Sequence, residues 1–392
     1  MSLFGDFYFF GILAMTLLPA IVLGIMEKNI KYYGFFLTIF FLVMIFKDSP
    51  MGLVHLGIYC VYEMAIIWIW LLITKKKGRV KSLYWLAIAL AILPLTIWKI
   101  SSFQGHGLMA VIGLSYMTFK VCQMIIEIYD GLIESINPFD FVYFLTFFPA
   151  ITSGPIDRSR RFKEDLDNTP TRAEYLDMLG TGLFKVSLGI FYKFVLAAGA
   201  YQAETWLGKG DALSNHIIDM YTYGLYLFFD FAGYSLMAVG VSYILGVRCP
   251  DNFNKPFIST DMKDFWDRWH MTLSYWFRDF IFSRFMMKSI KGKWFKNKLT
   301  GASIGFIINM TIMGVWHGLD IYYIMYGLYH GILLALTEIY QKKVKFHKKN
   351  KKKRWYKILG IVITFNLAMF GFYIFSGKFT ELIGLTWGTL FN

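Results

Sequence analysis

The sequence predicts an all-α protein that crosses the membrane many times, and three observations lead to this prediction. Hydrophobic residues make up 56% of the 392-residue chain, and aromatic residues make up 19%. Apolar runs recur along almost the whole chain, and many approach the roughly 20 residues that a helix needs to cross the bilayer hydrocarbon. No polar linker separates two parts of the chain, so we expect a single membrane-embedded domain over residues 1–392.

We predict about ten or eleven transmembrane helices, together with shorter helices that do not cross. The clearest apolar runs are residues 7–26, 32–46, 53–73, 83–100, 108–128, 178–207, 217–245, 300–319, 322–340 and 355–375. No basic segment precedes the first run, so we expect a transmembrane helix there and no cleavable signal peptide. Residues 139–152 and 265–285 are too short or too mixed in polarity for a simple crossing. We expect both to be re-entrant or in-plane, surrounded by protein that satisfies their backbone.

Positive charge predicts the orientation of the chain, whose formal net charge is +14. The basic clusters occupy residues 75–81, 158–163, 288–298 and 342–357. With an extracellular N-terminus and alternating crossings, all of them face one side, which the positive-inside rule makes cytoplasmic. The C-terminus is then also extracellular. Attraction to anionic lipid headgroups explains most of this charge, and a docking surface for an acidic cytosolic protein is the sharper alternative. We expect no nucleic-acid partner, because the basic runs are short loops without a binding module.

Two histidines are the main candidates for chemistry, because each directly follows a tryptophan in a stretch predicted to lie in the membrane. They are His270, after Trp269, and His317, after Trp316. An imidazole can take or give a proton near physiological pH, and a polar ring at bilayer depth is costly without a partner. A structural role is the alternative, since a lone membrane histidine is often a hydrogen-bonding residue between helices.

Polar residues accompany both histidines. On a helix, Asp264 can pair with Arg268 four residues later, and His270 shares a face with Ser274. An interfacial helix with aromatic belt residues is the structural alternative for this segment. Asn309 precedes His317 by two turns and is a candidate partner or second site residue.

No metal or nucleotide site is expected. Cys60, Cys122 and Cys249 lie far apart, and the histidine spacings match none of the familiar ligand signatures. The sequence also lacks a Walker A loop and a Rossmann glycine fingerprint, and its G-x-S-x-G run at 301–305 lies inside a predicted crossing helix, not at the strand-to-helix turn that presents a nucleophilic serine.

Five motifs, in their order and spacing, resemble the membrane-bound O-acyltransferase superfamily. They are Phe-Asp-Phe-Ala-Gly-Tyr-Ser at 229–235, Pro-Asp-Asn-Phe-Asn at 250–254, Phe-Trp-Asp-Arg-Trp-His at 265–270, Trp-Phe-Arg-Asp at 276–279 and Trp-His-Gly at 316–318. Residues 113–120, 147–158 and 313–318 further resemble the branch of that superfamily that acts in teichoic acid D-alanylation in Gram-positive bacteria. The resemblance covers about residues 108–378.

The resemblance implies a ring of transmembrane helices around a thinned centre, with a tunnel joining the two sides of the membrane. His317 matches the histidine at the tunnel's constriction, which we expect to act as general base. His270 matches a second polar position, which is histidine in similar bacterial members and asparagine in many eukaryotic ones. We expect His270 to act on the donor side. The residues expected to contact substrate are Trp266, Trp269, Trp316, Asn309, Arg278, Asp279 and Ser274.

The resemblance also implies a donor and partners. The donor would be D-alanine held as a thioester on the phosphopantetheine arm of an acidic carrier protein, with no cofactor bound permanently. The final acceptor would be lipoteichoic acid, reached directly or through a hydroxyl on a partner membrane protein of the same pathway in the bacterial cell membrane. We expect the carrier to dock near residues 257–298 on the cytoplasmic face. Two alternatives stay open: a polysaccharide O-acetyltransferase of the same superfamily, and a non-enzymatic channel or flippase.

Overall fold

The computed structural model describes residues 3–105, 112–207 and 213–391, and helices dominate these ranges, which contain no strand. The α-helices are α1 (Phe7–Ile25), α2 (Lys31–Ile45), α3 (Pro50–Lys77), α4 (Lys81–Phe103), α5 (Leu114–Asp130), α6 (Pro138–Thr146), α7 (Ser159–Asp167), α8 (Arg172–Phe191), α9 (Ala198–Leu207), α10 (Leu213–Ile244), α11 (Met262–Trp266), α12 (Met271–Phe277), α13 (Ser283–Lys291), α14 (Lys298–His317), α15 (Ile321–Lys343), α16 (Lys345–Asn350), α17 (Arg354–Phe375), α18 (Lys378–Leu382) and α19 (Trp387–Phe391). The prediction of an all-α protein is therefore confirmed.

Within the described ranges, seven helical stretches are long and apolar enough to cross a membrane. They are α1, α3, α4, the stretch Arg172–Leu207 that contains α8 and α9, α10, α14 and α17. The chain is a multi-pass membrane protein. The other predicted crossings coincide with α2, α5 and α15, so the count of ten or eleven stays a prediction. Residues 108–111 of the predicted crossing 108–128 lie outside the described residues.

The two segments predicted not to cross are built from short helical pieces. Residues 139–152 contain most of α6 and a single turn at Phe148–Ala150. Residues 265–285 contain parts of α11 and α13, all of α12, and a widened turn at Arg278–Phe282. No one of these pieces reaches the roughly 20 residues of a crossing. Their re-entrant or in-plane placement stays a prediction.

The chain forms two compact units, and neither is one continuous stretch. The first comprises residues 1–191 and 233–251, and the second comprises residues 192–232 and 252–392. All residues predicted for the site fall in the second unit. The expectation of a single membrane-embedded domain stays a prediction.

In the first unit, α5 lies against α3, α4 and α6. Most of its residues are buried, including the polar Lys120, Gln123 and Glu127. The Lys120 ammonium donates a hydrogen bond to the Phe144 carbonyl oxygen over 2.8 Å, which partly compensates its burial. This helix is therefore covered mainly by protein.

In the second unit, α14 and α15 run antiparallel and touch through glycines. A Cβ atom on Gly327 would lie 2.4 Å from the Met310 carbonyl oxygen, and one on Gly314 would lie 2.4 Å from the Tyr323 carbonyl oxygen. A Cβ atom on Gly331 would lie 2.8 Å from the Cα atom of Ile307. Small residues allow helix backbones to approach closely, which favours van der Waals packing where no hydrophobic effect drives association.

We therefore expect Gly327→Ala to destabilise the protein, because its new methyl group must push α15 away from the Met310 carbonyl. Overpacking of this kind costs about 1–3 kcal/mol. The measurement is the midpoint of thermal unfolding in detergent micelles. Gly199→Ala is the matched control, since a Cβ atom at Gly199 of α9 meets nothing within 4 Å. Equal midpoints for the two variants would contradict the close-contact interpretation.

Candidate active site

The chain breaks its helix at His270, and that break determines where the ring points. His270 directly precedes α12 and has a left-handed backbone, with φ of +42°. A residue with a side chain adopts this region uncommonly, although histidine is among the types enriched there. Its imidazole is 3% exposed and meets the Phe231 ring edge to face, with 4.7 Å between ring centroids.

Two backbone hydrogen bonds hold the break. The Asn254 N–H donates to the Arg268 carbonyl oxygen over 3.0 Å, and the Met271 N–H donates to the Asn252 carbonyl oxygen over 2.8 Å. A hydrogen bond between side chains adds to them, because the Thr272 hydroxyl lies 2.6 Å from Asn252 Oδ1. The motif at 250–254 therefore stabilises the turn at His270 through these hydrogen bonds.

The expectation that residues 264–279 form one helix with an ion pair on it is confirmed for the ion pair and differs for the helix. The pair formed by Asp264 and Arg268 is present, with Arg268 Nε 2.6 Å from Asp264 Oδ1. The helix does not continue through the segment, because the bonds to residues 252 and 254 take backbone groups that a continuous helix would use. His270 and Ser274 still share a turn, since the Ser274 N–H donates to the His270 carbonyl oxygen over 3.0 Å.

Trp269 points into a cluster of aromatic rings. Its ring centroid lies 4.5 Å from that of Phe372, 5.1 Å from that of Phe253 and 5.7 Å from that of Phe265. The residue is 4% exposed. Trp269 thus anchors the turn before His270, and its predicted contact with substrate stays a prediction.

His317 is the last residue of α14, and aromatic rings surround its half-buried imidazole. Its ring centroid lies 4.6 Å from that of Trp316, 5.1 Å from that of Phe375 and 6.1 Å from that of Tyr326. Gly318 follows with an extended backbone, and a Cβ atom there would lie 2.2 Å from the Tyr323 ring. Glycine in the Trp-His-Gly motif therefore makes room for a ring that stacks on His317.

The two candidate histidines lie near each other in the second unit. His270 and His317 are close enough for their charges to interact.

Beside the histidine turn, the second unit contains a cavity of about 260 Å³. Four residues predicted to contact substrate line it, namely Trp266, Ser274, Arg278 and Asn309. Asp279 is ion-paired with Arg278 at 3.0 Å. The other lining residues are Lys263, Asp267, Tyr275, Phe282, Phe306, Met310, Met313 and Leu334. The cavity wall on α14 ends at Met313, one turn before His317.

Two buried polar atoms of the cavity wall have no hydrogen-bond partner within the described part of the chain. They are the Trp266 indole nitrogen, a donor, and Asn309 Oδ1, an acceptor. Trp266 is 6% exposed and Asn309 is 7% exposed. A buried polar atom without a partner costs about 1–3 kcal/mol, so both are suited to a ligand that supplies one acceptor and one donor. An amide group supplies both. Asn309 was also predicted as a partner of His317, and that pairing stays a prediction.

Two cations belong to the lining of the cavity. Lys263 Nζ is 2.6 Å from Glu338 Oε2 on α15, which ties α11 to that helix. The Arg278 guanidinium lies over the Tyr275 ring, with 4.4 Å from Cζ to the ring centroid, and half of its side chain is exposed. Each cation already has a carboxylate partner, Glu338 for Lys263 and Asp279 for Arg278.

The structure adds a third histidine to the residues around the cavity. His330 of α15 is fully buried, and its ring centroid lies 4.6 Å from that of Tyr326 and 5.2 Å from that of Trp266. It thereby links the cavity wall to the rings around His317. Its position in a Tyr-His-Gly triplet, like the Trp-His-Gly triplet of α14, was the available signal.

A helical membrane protein with paired histidines beside an internal cavity has the features of an acyl-transfer enzyme, and sequence comparison agrees. The family model "MBOAT, membrane-bound O-acyltransferase family" matches residues 40–379, so the chain belongs to that family. The resemblance stated from the motifs is confirmed.

Particular relatives are similar to the chain over nearly its whole length. The teichoic acid D-alanyltransferase of Bacillus subtilis is 42% identical, over 96% of this chain and 98% of that protein. The protein of the same name from Streptococcus thermophilus is 40% identical, over 97% of this chain and 96% of that protein. The probable alginate O-acetylase AlgI of Pseudomonas aeruginosa is 29% identical, over 72% of this chain and 51% of that protein.

We expect Thr272→Val to destabilise the turn at His270. The substitution keeps the shape of the side chain but removes the hydroxyl that donates a hydrogen bond to Asn252 Oδ1. Asn252 is 1% exposed, so water cannot replace the lost donor. The cost of an unsatisfied buried group is about 1–3 kcal/mol. The measurement is the thermal unfolding midpoint, with Thr272→Ser as the control that keeps the hydroxyl. If the unfolding midpoint of the valine variant is no lower than that of the serine variant, the stability of the turn does not depend on this hydrogen bond.

Proposed function

We propose that this protein transfers D-alanine from a carrier-protein thioester towards lipoteichoic acid. The observation that carries the proposal is a cavity whose wall includes residues on both sides of the His270 turn and ends one helical turn before His317. Its wall holds an unpartnered donor on Trp266 and an unpartnered acceptor on Asn309. The names of the relatives that match the chain from end to end support the choice of D-alanine and of teichoic acid.

In the proposed reaction, His317 removes the proton from an acceptor hydroxyl. The hydroxyl oxygen then attacks the thioester carbonyl carbon, and a tetrahedral oxyanion forms. As this intermediate collapses, the carbon–sulfur bond breaks, an ester remains, and the leaving thiolate takes the proton from His317. A thioester is already activated, so alignment, proton removal and oxyanion stabilisation are the main tasks of the protein. General-base catalysis contributes about 10²–10⁴-fold to the rate.

His270 serves the donor side of this reaction. Its ring is buried and meets the Phe231 ring edge to face, which restricts its rotation. A nitrogen held in this way can donate a hydrogen bond to the thioester carbonyl as negative charge develops on its oxygen. Such preorganised donors stabilise an oxyanion more than a mobile side chain does.

The phosphopantetheine arm is the group that we assign to the cavity. The arm contains amide groups, and each amide offers one N–H and one carbonyl oxygen. The carbonyl matches the Trp266 indole donor, and the N–H matches Asn309 Oδ1. Arg278 and Lys263 would favour the phosphate at the base of the arm, because both line the same cavity.

The carrier protein and the acceptor lie on opposite sides of the membrane in this proposal. A tunnel through a ring of helices would let the acyl group cross without transport of free D-alanine. The carrier would approach the cytoplasmic face, and both chain termini would be extracellular. In this proposal the carrier, the adenylating enzyme and any partner with an acceptor hydroxyl are separate proteins.

A polysaccharide O-acetyltransferase is the second candidate function. The match to AlgI favours it, although that match has lower identity and leaves about half of the AlgI chain uncovered. A channel or flippase differs from both, because it would form no new ester. The required donor separates the three functions. A D-alanyltransferase needs a D-alanyl carrier thioester, an O-acetyltransferase needs an acetyl thioester, and a channel or flippase needs no thioester.

We expect His317→Ala to lower the rate of D-alanyl transfer by about 10²–10⁴-fold, because no other group replaces the base. The measurement is movement of label from a D-alanyl carrier thioester to an acceptor hydroxyl, with the protein purified in nanodiscs. His55→Ala on α3, in the first unit, is the matched histidine control and should keep the parent rate. Full transfer by a folded His317→Ala protein would reject the assignment.

The carrier-docking part of the proposal has its own test. Lys288→Glu combined with Lys291→Glu reverses two exposed charges of α13, within the expected docking region 257–298. Binding of an acidic carrier should weaken about tenfold at low salt, and the difference should shrink as salt screens the charges.

The control for docking is Lys75→Glu combined with Lys76→Glu, which makes the same charge change at the end of α3. Affinity is measured by biolayer interferometry at several salt concentrations. If carrier binding changes neither with salt concentration nor with the charge reversal on α13, the interface there is not electrostatic. This outcome would not bear on the role of His317.

A further inference from the structure

The second unit contains a groove that the transfer reaction does not use. Its volume is about 810 Å³, and it lies between α15, α16 and α17. The walls are mostly aliphatic and aromatic, with Leu333, Leu336, Leu359, Ile363 and Leu367 among them. The basic lining residues lie in or next to the segment that joins α15 to α17, namely His347, Lys351 and Lys357, whereas Thr337 and Thr364 lie along the apolar walls.

The groove opens on an exposed apolar surface. Leu336 is 56% exposed, Leu359 is 46% exposed and Ile363 is 49% exposed, on helices predicted to cross the membrane. From Lys357 to Leu367, α17 advances about 15 Å, at 1.5 Å per residue. The hydrocarbon of a bilayer is about 30 Å thick, so the groove is about one leaflet deep.

The other end of the groove is positively charged. Lys351 and Lys357 line it, and ten lysines and arginines lie between residues 342 and 357. His347 and Tyr356, which also line it, are joined by a hydrogen bond of 2.9 Å. The acidic lining residue is Asp261, which is already hydrogen-bonded to Gln341 Nε2 at 2.9 Å. A phosphate placed here would therefore meet cations.

We propose that this groove binds one anionic phospholipid from the leaflet next to the basic segment. An acyl chain lies along Leu336, Leu359 and Ile363, and the headgroup phosphate lies between Lys351 and Lys357. Apolar walls one leaflet deep that end in paired cations match the two parts of such a lipid, whereas a soluble anion would leave the walls exposed. A basic pocket between transmembrane helices is a recurring form of headgroup recognition.

The lipid would also support the candidate active site, because the groove shares residues with the start of α11. Asp261 caps that helix by accepting hydrogen bonds from the N–H groups of Lys263 and Asp264. Gln341 holds Asp261, and both residues line the groove. Occupation of the groove therefore restrains the helix that carries Trp266. Lipid binding itself is independent of any acyl transfer.

The test is native mass spectrometry of the detergent-purified protein, titrated with phosphatidylglycerol and with phosphatidylcholine of identical acyl chains. Phosphatidylglycerol should be retained preferentially. Lys351→Gln combined with Lys357→Gln should weaken its binding about thirtyfold, since each cation near a phosphate contributes roughly a factor of five. The matched control is Lys348→Gln combined with Lys349→Gln, which removes the same charge from α16 outside the groove and should keep the parent affinity.

Leu336→Trp tests the apolar part without a change of charge, because the larger ring fills the groove. It should also weaken retention of phosphatidylglycerol, and it gives an answer even where the double lysine variant does not fold. Equal retention of the two lipids would overturn the proposal. So would unchanged binding in Leu336→Trp, or equal loss in the two double lysine variants, since the site would then lie elsewhere or be unspecific.

Discussion

The close contact of α14 with α15 supports every part of the candidate site. Gly314, Gly327 and Gly331 let the two backbones touch, so His317 at the end of one helix lies beside Tyr326 of the other. In hydrocarbon, apolar side chains gain nothing by leaving lipid for protein, and dense packing must supply the attraction instead. Because α15 also carries His330 and Glu338, the same contact positions the wall of the cavity and the anchor of α11.

The turn at His270 shows how an irregular backbone is tolerated in such a protein. Non-helical segments need partners for their N–H and C=O groups wherever water is absent. Here residues 252 and 254 provide them, and the Thr272 hydroxyl donates a hydrogen bond to Asn252 Oδ1. The aromatic cluster around Trp269 then excludes the alternative arrangements of the turn. Chemistry at His270 thus depends on a segment that need not touch any substrate.

Local rules predicted the local features, and the remaining features depend on distant parts of the chain. Hydropathy predicted the helices and the multi-pass character, and four-residue spacing predicted the pair of Asp264 with Arg268. Apolar periodicity cannot separate a helix covered by lipid from one covered by protein, so the burial of α5 was not foreseen. Lys263 and Glu338 are separated by 75 residues in sequence, and the bonds that break the helix before α12 are similarly non-local. The cavity that gathers Trp266, Ser274, Arg278 and Asn309 follows from those contacts.

The left-handed backbone at His270 limits which residues can replace it. Histidine and asparagine both adopt this region more readily than other residues with side chains, while β-branched residues are strongly disfavoured there. An exchange of His270 for asparagine would therefore change the side-chain chemistry at this position without rebuilding the turn. For protein engineering, few residue types suit position 270. Histidine and asparagine can be exchanged there on the same backbone, so substrate range can be varied separately from folding.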